Sequence, residues 1–437
     1  MELRNVVLVD GARSAFGRGG RGSLVATRLD EAGAKVIRSL LDKHPRVKDT
    51  MIDDIGLGNV AGRGEFTGLG AVGRLAGLPL EVCAFNTNRQ CGSSMETLHK
   101  VATSIMVGAS NCGIALGIER MGRTLGGGGG RGPTNRVTEF NRRLLDMNEV
   151  QKGMAHDHDE YFSVPFPDYI LKSPPMQSMT QTAQNVAETY GLTREEMDAY
   201  AVESHRKVAA AQAAGIYDDE IVPLEVETPL FDDEGNWKPE EKGPMVTFGK
   251  DECVRPGSTV ETLGGLKAVG GIKSFADKEI LITAGNSCPT NDGVSCALLM
   301  SEEMALELGL EPIARIIGLA VGGVKPQLMG LGPIVSTKKA LRMAGLEPGQ
   351  IDRCEFNEAF AAQVIPSVTD MGLDPDCVNV NGGSIAIGHP LGATGARLVT
   401  TVAKELRRSN TRYGLATQCI GAGMGISTVL ENLDVQK

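Results

Sequence analysis

Two distant stretches of the chain follow one plan, and that constrains its fold more than any other feature. "CGSSMETLHKVATSIMVGASNCGIALGIE" begins at Cys91 with a small-residue turn. It continues into a helix, a loop at Asn111 and a strand. "HPLGATGARLVTTVAKELRRSNTRYGLATQ" begins at His389 and repeats the order, with its loop at Asn410. Met95, Leu98, Val101, Ala102, Ile105 and Met106 form an i, i+3, i+4 stripe on the first helix. Ala396, Val399, Val402, Ala403 and Leu406 form one on the second. Upstream of each stands a second matched pair, "IDDIGLGN" at 52–59 and "IDRCEFNE" at 351–358. The chain therefore reads as two diverged copies of one α/β unit. A pseudo-twofold relation would bring the Cys91 and His389 turns face to face.

At 437 residues the chain exceeds one ordinary core, so two or three packed units are expected. Between the copies the strand–helix rhythm breaks. "MGRTLGGGGGRGPTNR" at 121–136 is a glycine-rich run. Two helical segments follow later, and the second opens on a capping box of Thr193 and Glu196 and stops near Gly215. The expected division is residues 1–120 plus 290–309 as one half, 121–289 as an inserted lobe, and 310–437 as the other half.

Several readings are set aside. Nine cysteines without a CxxC pair argue against disulfides and structural zinc. A net charge of −10 disfavours nucleic acid and membrane surfaces as partners. No run of apolar residues is long enough to span a bilayer. The start lacks a leader pattern, so a cytoplasmic location is expected. Two GxGxxG matches, Gly17-Gly19-Gly22 and Gly68-Gly70-Gly73, lack a strand before and a helix within. "HDHDE" at 156–160 has no third histidine nearby and reads as a solvated acidic turn, so no metal is expected.

Four other motifs carry reactive side chains. Cys91 sits at a helix N-terminus, where partial positive charge favours thiolate. Alone it reads equally as a buried cysteine at a tight turn. Cys419 closes the strand "YGLATQC" and opens a glycine turn whose N–H groups could form an oxyanion hole. Alone it reads as a packing cysteine. Asn357 in "EFNEAFAAQ" stands where an Asn usually caps a helix. His389 is ringed by glycines, which clear a space that a packed core histidine would not need, and Pro390 fixes the turn after it.

Together, "NRQCGSS", "TAQNVAETYGLTREEMDAYAVESHRKV", "ITAGNSCPTNDG", "NEAFAAQ", "NVNGGSIAIGHPLGATGAR" and "LATQCIGAGMG" resemble the thiolase family in order and in C-terminal spacing. The resemblance implies a duplicated five-layer αβαβα fold with an inserted lobe that binds coenzyme A. It implies a reversible CoA-dependent cleavage of a 3-ketoacyl-CoA, or the reverse condensation. Cys91 would be the acylated nucleophile, and His389 the base that takes its proton. Cys419 would be the second acid/base, and Asn357 would hold a water in one oxyanion hole. Backbone N–H groups of Cys91 and Gly421 would form the other hole. Met179, Ala284, Ser287, Cys288, Phe360 and Leu391 would line the CoA and acyl path. Coenzyme A would enter as a substrate, with no permanently bound cofactor, and the expected partners are acyl-CoA substrates and further copies in a homodimer or homotetramer.

Two positions depart from the family pattern. Cys288 stands where serine is common along the pantetheine, and Ser178 replaces a histidine before Met179. A decarboxylating condensing enzyme on the same fold would use Cys with two His, or with His and Asn, so Cys419 speaks for a thiolase. A non-catalytic acyl-CoA-binding relative would not need Cys91, Asn357, His389 and Cys419 together.

Overall fold

The computed structural model describes residues 3–61, 71–122 and 177–435. Most of the glycine-rich run, the "HDHDE" segment, and Gly68 and Gly70 of the second glycine motif lie outside the described residues. Gly17 lies in a short strand, Gly19 and Gly22 lie in the turn after it closed by Gly22 N–H on Arg18 O, and the next helix opens only at Leu29.

The first half contains β1 (Val6–Arg13), β2 (Gly17–Arg18), α1 (Leu29–Lys43), β3 (Asp54–Gly58), α2 (Ala71–Leu75), β4 (Cys83–Thr87), α3 (Ser93–Met106) and β5 (Cys112–Arg120). Then come α4 (Met179–Tyr190), α5 (Arg194–Ala213), β6 (Leu224–Glu227), β7 (Met245–Phe248) and α6 (Val260–Gly264). The chain continues through β8 (Asn291–Ser301), α7 (Glu302–Glu307), β9 (Ala314–Gly323), α8 (Gly332–Ala344), β10 (Arg353–Phe356) and α9 (Ala361–Met371). It ends with α10 (Ser384–Ile387), α11 (Leu391–Ser409), β11 (Tyr413–Ile420) and β12 (Met424–Glu431).

The strand order β10-β11-β12-β9-β1-β8-β5-β3-β4 reads the same way outward from its middle, with β4 added at the end of the first half. Strand β10 matches β3, β11 matches β5, β12 matches β8, and β9 matches β1. A bridge of Cys354 to Val378 stands where β4 pairs with β3. The two halves meet where Val6–Leu8 pair antiparallel with Ala314–Ile316, as a twofold relation requires. Register shifts at Leu8/Asp10 and at Val429/Leu430 flank this seam. Bulges increase local twist and bend a strand, which lets one hydrogen-bonded surface fold around a central layer.

That layer is α3 and α11. Both are buried on nearly every face, beyond the stripes seen in the sequence. Met95, Leu98 and Ile105 share a core with Leu398, Val399, Leu406, Leu299 and Ile426. Helix α1 covers the outer face of the first half, and α8 and α9 cover that of the second, completing five layers. Strands β5 and β8 are buried throughout because both faces are covered.

The duplication extends to the loops. Asp53 Oδ2 accepts the N–H groups of Asn111 and Cys112 at 2.6 and 3.2 Å. Asp352 Oδ2 accepts those of Arg412 and Tyr413 at 2.9 and 2.8 Å. Each aspartate ties the start of its strand to the loop entering the next one. In the intervening segment, Thr193 and Glu196 form the expected reciprocal cap, and Gly215 follows α5 at φ +71°.

Candidate active site

Helices α3 and α11 converge at their N-terminal ends. A Cβ at Gly395 would overlap the backbone of Met95, and Ser94 Oγ accepts Ala396 N–H at 3.0 Å. The turns that precede both helices are therefore brought together from opposite halves.

Cys91 precedes α3, after Gln90 at φ +47°. Gln418 Nε2 donates to the Cys91 carbonyl, and Gly92 lies against Ile420 and Ile426. The nucleophile turn is thus clamped onto the β11–β12 hairpin. Backbone N–H groups of Gly421 and of Cys91 itself favour the Cys91 thiolate. The helix start leads one to expect a lowered thiol pKa. Burial wins instead and pushes it up to about 11, against the pull of those two N–H groups. At neutral pH Cys91 rests as a thiol.

His389 is 2% exposed, and burial, followed by the charge of Arg397, lowers its pKa to about 3. It rests as neutral imidazole. The Thr394 hydroxyl gives its one proton to Pro390 O at 2.9 Å. Its oxygen is left to accept from His389 Nδ1 at 2.7 Å. Nε2 therefore carries the lone pair. It faces Asn357 Nδ2 at 3.4 Å. Asn291 Oδ1 accepts His389 N–H at 3.0 Å, and a side chain at Gly388 (φ +115°) would collide with Asn291.

Asn357 does not cap α9, whose N-cap position is Phe360. Its side chain is buried and its Oδ1 accepts from Ser384 Oγ at 2.7 Å. Cys419 is buried, and its thiol donates to Gln363 Oε1 at 3.1 Å. Gln363 Nε2 in turn donates to Asn357 O at 3.1 Å. Burial, and then proximity to Cys91, hold the Cys419 pKa far above the thiol range. Cys288 also feels both Cys91 and Cys419, so three thiols share one locality.

The residues named for the acyl and CoA path divide. Met179, Phe360, Cys288 and Cys419 belong to one apolar cluster. Ser287 bridges Phe360, and Cys288 N–H donates to Ala359 O at 3.0 Å. Ser178 caps α4 by accepting Gln181 N–H, so the residue that replaces histidine serves the helix. Ala284 is exposed, and Leu391 is half-buried at the start of α11. Among the described residues no group of three or more His, Cys, Asp or Glu is arranged to hold a metal ion.

Family models match both halves of the chain. The model for the thiolase N-terminal domain matches residues 6–303, and that for the thiolase C-terminal domain matches 310–432. The chain belongs to the thiolase family. Among curated thiolases, the 3-ketoacyl-CoA thiolase of Bacillus subtilis (strain 168) is 38% identical over 433 residues, covering 98% of this chain and 100% of that protein. The 3-oxoadipyl-CoA/3-oxo-5,6-dehydrosuberyl-CoA thiolase of Escherichia coli (strain K12) is 38% identical over 436 residues, covering 99% and 100%. Among solved structures, the acetyl-CoA acetyltransferase of Bacillus anthracis superposes with a TM-score of 0.80 at 32% identity, over 99% of this chain and 100% of that one.

The sequence motifs missed the residues that orient this thiolase site. Thr394, Ser384 and Arg397 flank His389 within the quoted loop, and Gln363 ends "NEAFAAQ". Their polar types in a run of small residues were the available signal. Glu119 gave no local signal. It is buried and accepts N–H groups from Val60, Ala61 and Gly392 at 3.0, 3.0 and 2.8 Å, joining the first half to the start of α11.

Proposed function

We propose that this thiolase cleaves 3-ketoacyl-CoA substrates with coenzyme A through an acyl group on Cys91. The observation that carries the reading is the Cys91 turn, clamped through its carbonyl by Gln418 next to the buried Cys419 thiol and brought against the His389 turn by the contact of α3 with α11. Cys91 and His389 both rest neutral, so proton transfer accompanies substrate attack rather than preceding it.

In the first half-reaction His389 Nε2 takes the Cys91 proton as the sulfur attacks the 3-keto carbon. The N–H groups of Cys91 and Gly421 hold the oxyanion. The C2–C3 bond breaks, and the enolate of acetyl-CoA leaves. The protonated His389 and a water on Asn357 face its oxygen, while Cys419 gives its proton to the α-carbon. In the second half-reaction the CoA thiol loses its proton to the Cys419 thiolate and attacks the acyl thioester. Cys91 sulfur leaves and recovers its proton from His389, so both residues return to their starting states. Condensation runs the same steps backward.

Met179 and Phe360 line the acyl end, and Ala284, Ser287, Cys288 and Leu391 line the CoA path. Residues 121–289 serve as the CoA lobe between halves formed by 1–120 plus 290–309 and by 310–437. The relatives named for 3-ketoacyl-CoA and 3-oxoadipyl-CoA support a cleavage role, in β-oxidation or in a related degradation of ketoacyl chains. No described helix is long and apolar enough to cross a membrane, in keeping with work in the cytoplasm. Among the described residues no further strand pairs with β4 at the end of the sheet, and that edge would meet a second copy in a homodimer or homotetramer.

Brief incubation with acetyl-CoA should leave an acetyl group on Cys91 by peptide mass spectrometry. Modification elsewhere with Cys91 bare sinks the assignment. Cleavage rates across 3-ketoacyl-CoAs of increasing length then define the acyl preference.

A further inference from the structure

The buried pair of Arg397 and Glu355 stands behind the site, and a directed chain of hydrogen bonds runs from it to His389. Arg397 Nη1 meets Glu355 Oε2 at 2.6 Å, with side-chain exposures of 0% and 4%. A buried ion pair is weak evidence for added stability, because desolvating two charges offsets most of their attraction. What a guanidinium does supply is direction, since it donates and never accepts.

Arg397 Nη2 donates to Ser384 Oγ at 2.8 Å. The Ser384 proton then needs an acceptor, and Asn357 Oδ1 lies 2.7 Å away. At the other end of the same amide, Asn357 Nδ2 faces His389 Nε2 at 3.4 Å. Thr394 keeps the proton on Nδ1, so Nε2 presents a lone pair. Turning the amide over would set an oxygen against that lone pair and leave the Ser384 proton facing an NH2 group. Both ends therefore demand one orientation, and hydrogen bonds in such a buried chain reinforce one another.

We propose that Ser384, oriented by Arg397, is a positioning residue that holds the Asn357 amide with its nitrogen toward His389 and toward the water that faces the substrate oxygen. The proposal rests on the thiolytic reading above, which assigns Asn357 its place in an oxyanion hole. Without Ser384 the amide would be free to rotate. It would then present a donor to the developing charge only part of the time.

A double-mutant cycle on the full chain tests this, with CoA-dependent cleavage of acetoacetyl-CoA as the assay. Ser384→Ala should lower kcat roughly 10- to 100-fold, the scale of a misplaced catalytic group. KM should stay within about threefold, since uniform binding is untouched. In an Asn357→Ala background the same change should cost less than about twofold, because coupled residues are not additive. An unaltered kcat in Ser384→Ala overturns the proposal, and so does an equal loss in both backgrounds. Should Ser384→Ala fail to fold, Ser384→Cys replaces it in the cycle, since its thiol fills the same place but donates weakly. The same outcomes then apply. No cleavage by the unmodified chain would instead overturn the thiolytic reading, so the two failures are distinguishable.

Discussion

The Cys91 and His389 turns share a backbone plan and differ in how their side chains are held. Each closes a small-residue turn, opens a helix of the central layer and is followed by a strand of its own half. Cys91 is governed by backbone: N–H groups of Gly421 and of Cys91 itself pull its thiol toward thiolate, and its carbonyl is clamped by Gln418. His389 is governed by side chains: Thr394 sets its tautomer, Asn357 faces its other nitrogen, and Arg397 reaches it through Ser384. The difference teaches that duplication supplied the frame twice, while the hydrogen bonds that orient the reactive side chain itself were built, among the described residues, at the His389 turn. A nucleophile needs space and an oxyanion hole, whereas a base needs its tautomer and its partners defined.

The largest effect should come from the backbone-governed side. Cys91→Ala should lower turnover by about 10⁴-fold or more, the scale of removing a covalent nucleophile. The acyl label should vanish from the peptide, and retained turnover would break the comparison outright. Cys419→Ala should lower carbon–carbon cleavage by about 10²- to 10⁴-fold, as for loss of an acid/base. It should still acylate Cys91 from acetyl-CoA, though more slowly, because that transfer does not use the α-carbon and needs Cys419 only to protonate the departing CoA thiolate, which water can do. Loss of labelling in this variant would mean that the two thiols act as one unit.

Thr394→Val tests the side-chain-governed turn. It removes the acceptor of His389 Nδ1–H, so kcat should fall about 10- to 100-fold while circular dichroism stays unchanged. A wild-type rate would show that packing alone sets the tautomer. The Cys91 thiol offers a pH test. Its pKa is raised to about 11, so thiolate is the minor form below that pH and grows about tenfold per pH unit. Alkylation of Cys91 by iodoacetamide should rise in that proportion from pH 7 to 9. A plateau below pH 8 would restore the helix start as the dominant influence.

The smallest effect concerns the shared frame. Asp53→Ala and Asp352→Ala each remove an acceptor of two backbone N–H groups. Each should cost about 1–3 kcal/mol in urea unfolding, with little change in the pH dependence of turnover. A large asymmetry between the two would show that the halves no longer share their loop chemistry.

Local order along the chain was enough to determine the duplication. Helix periodicity, the paired "ID" segments and the small-residue turns are all short-range patterns, and the matched strand order follows from repeating them. Cys91, His389 and Cys419 draw attention as reactive side chains close to glycine, while their roles and that of Asn357 are expected only from the family resemblance of their motifs. Their neighbours do not stand out. Ser384, Thr394, Gln363 and Arg397 look like ordinary helix residues until their hydrogen-bond partners are known. Only the tertiary structure decided the Cys91 protonation state, because burial between two half-sheets outweighed the local helix start. Only it decided that Asn357 is an oriented amide rather than a cap. Protonation and hydrogen-bond direction depend on groups contributed from distant segments and on the water those groups exclude, and neither is written in the spacing of a single stretch.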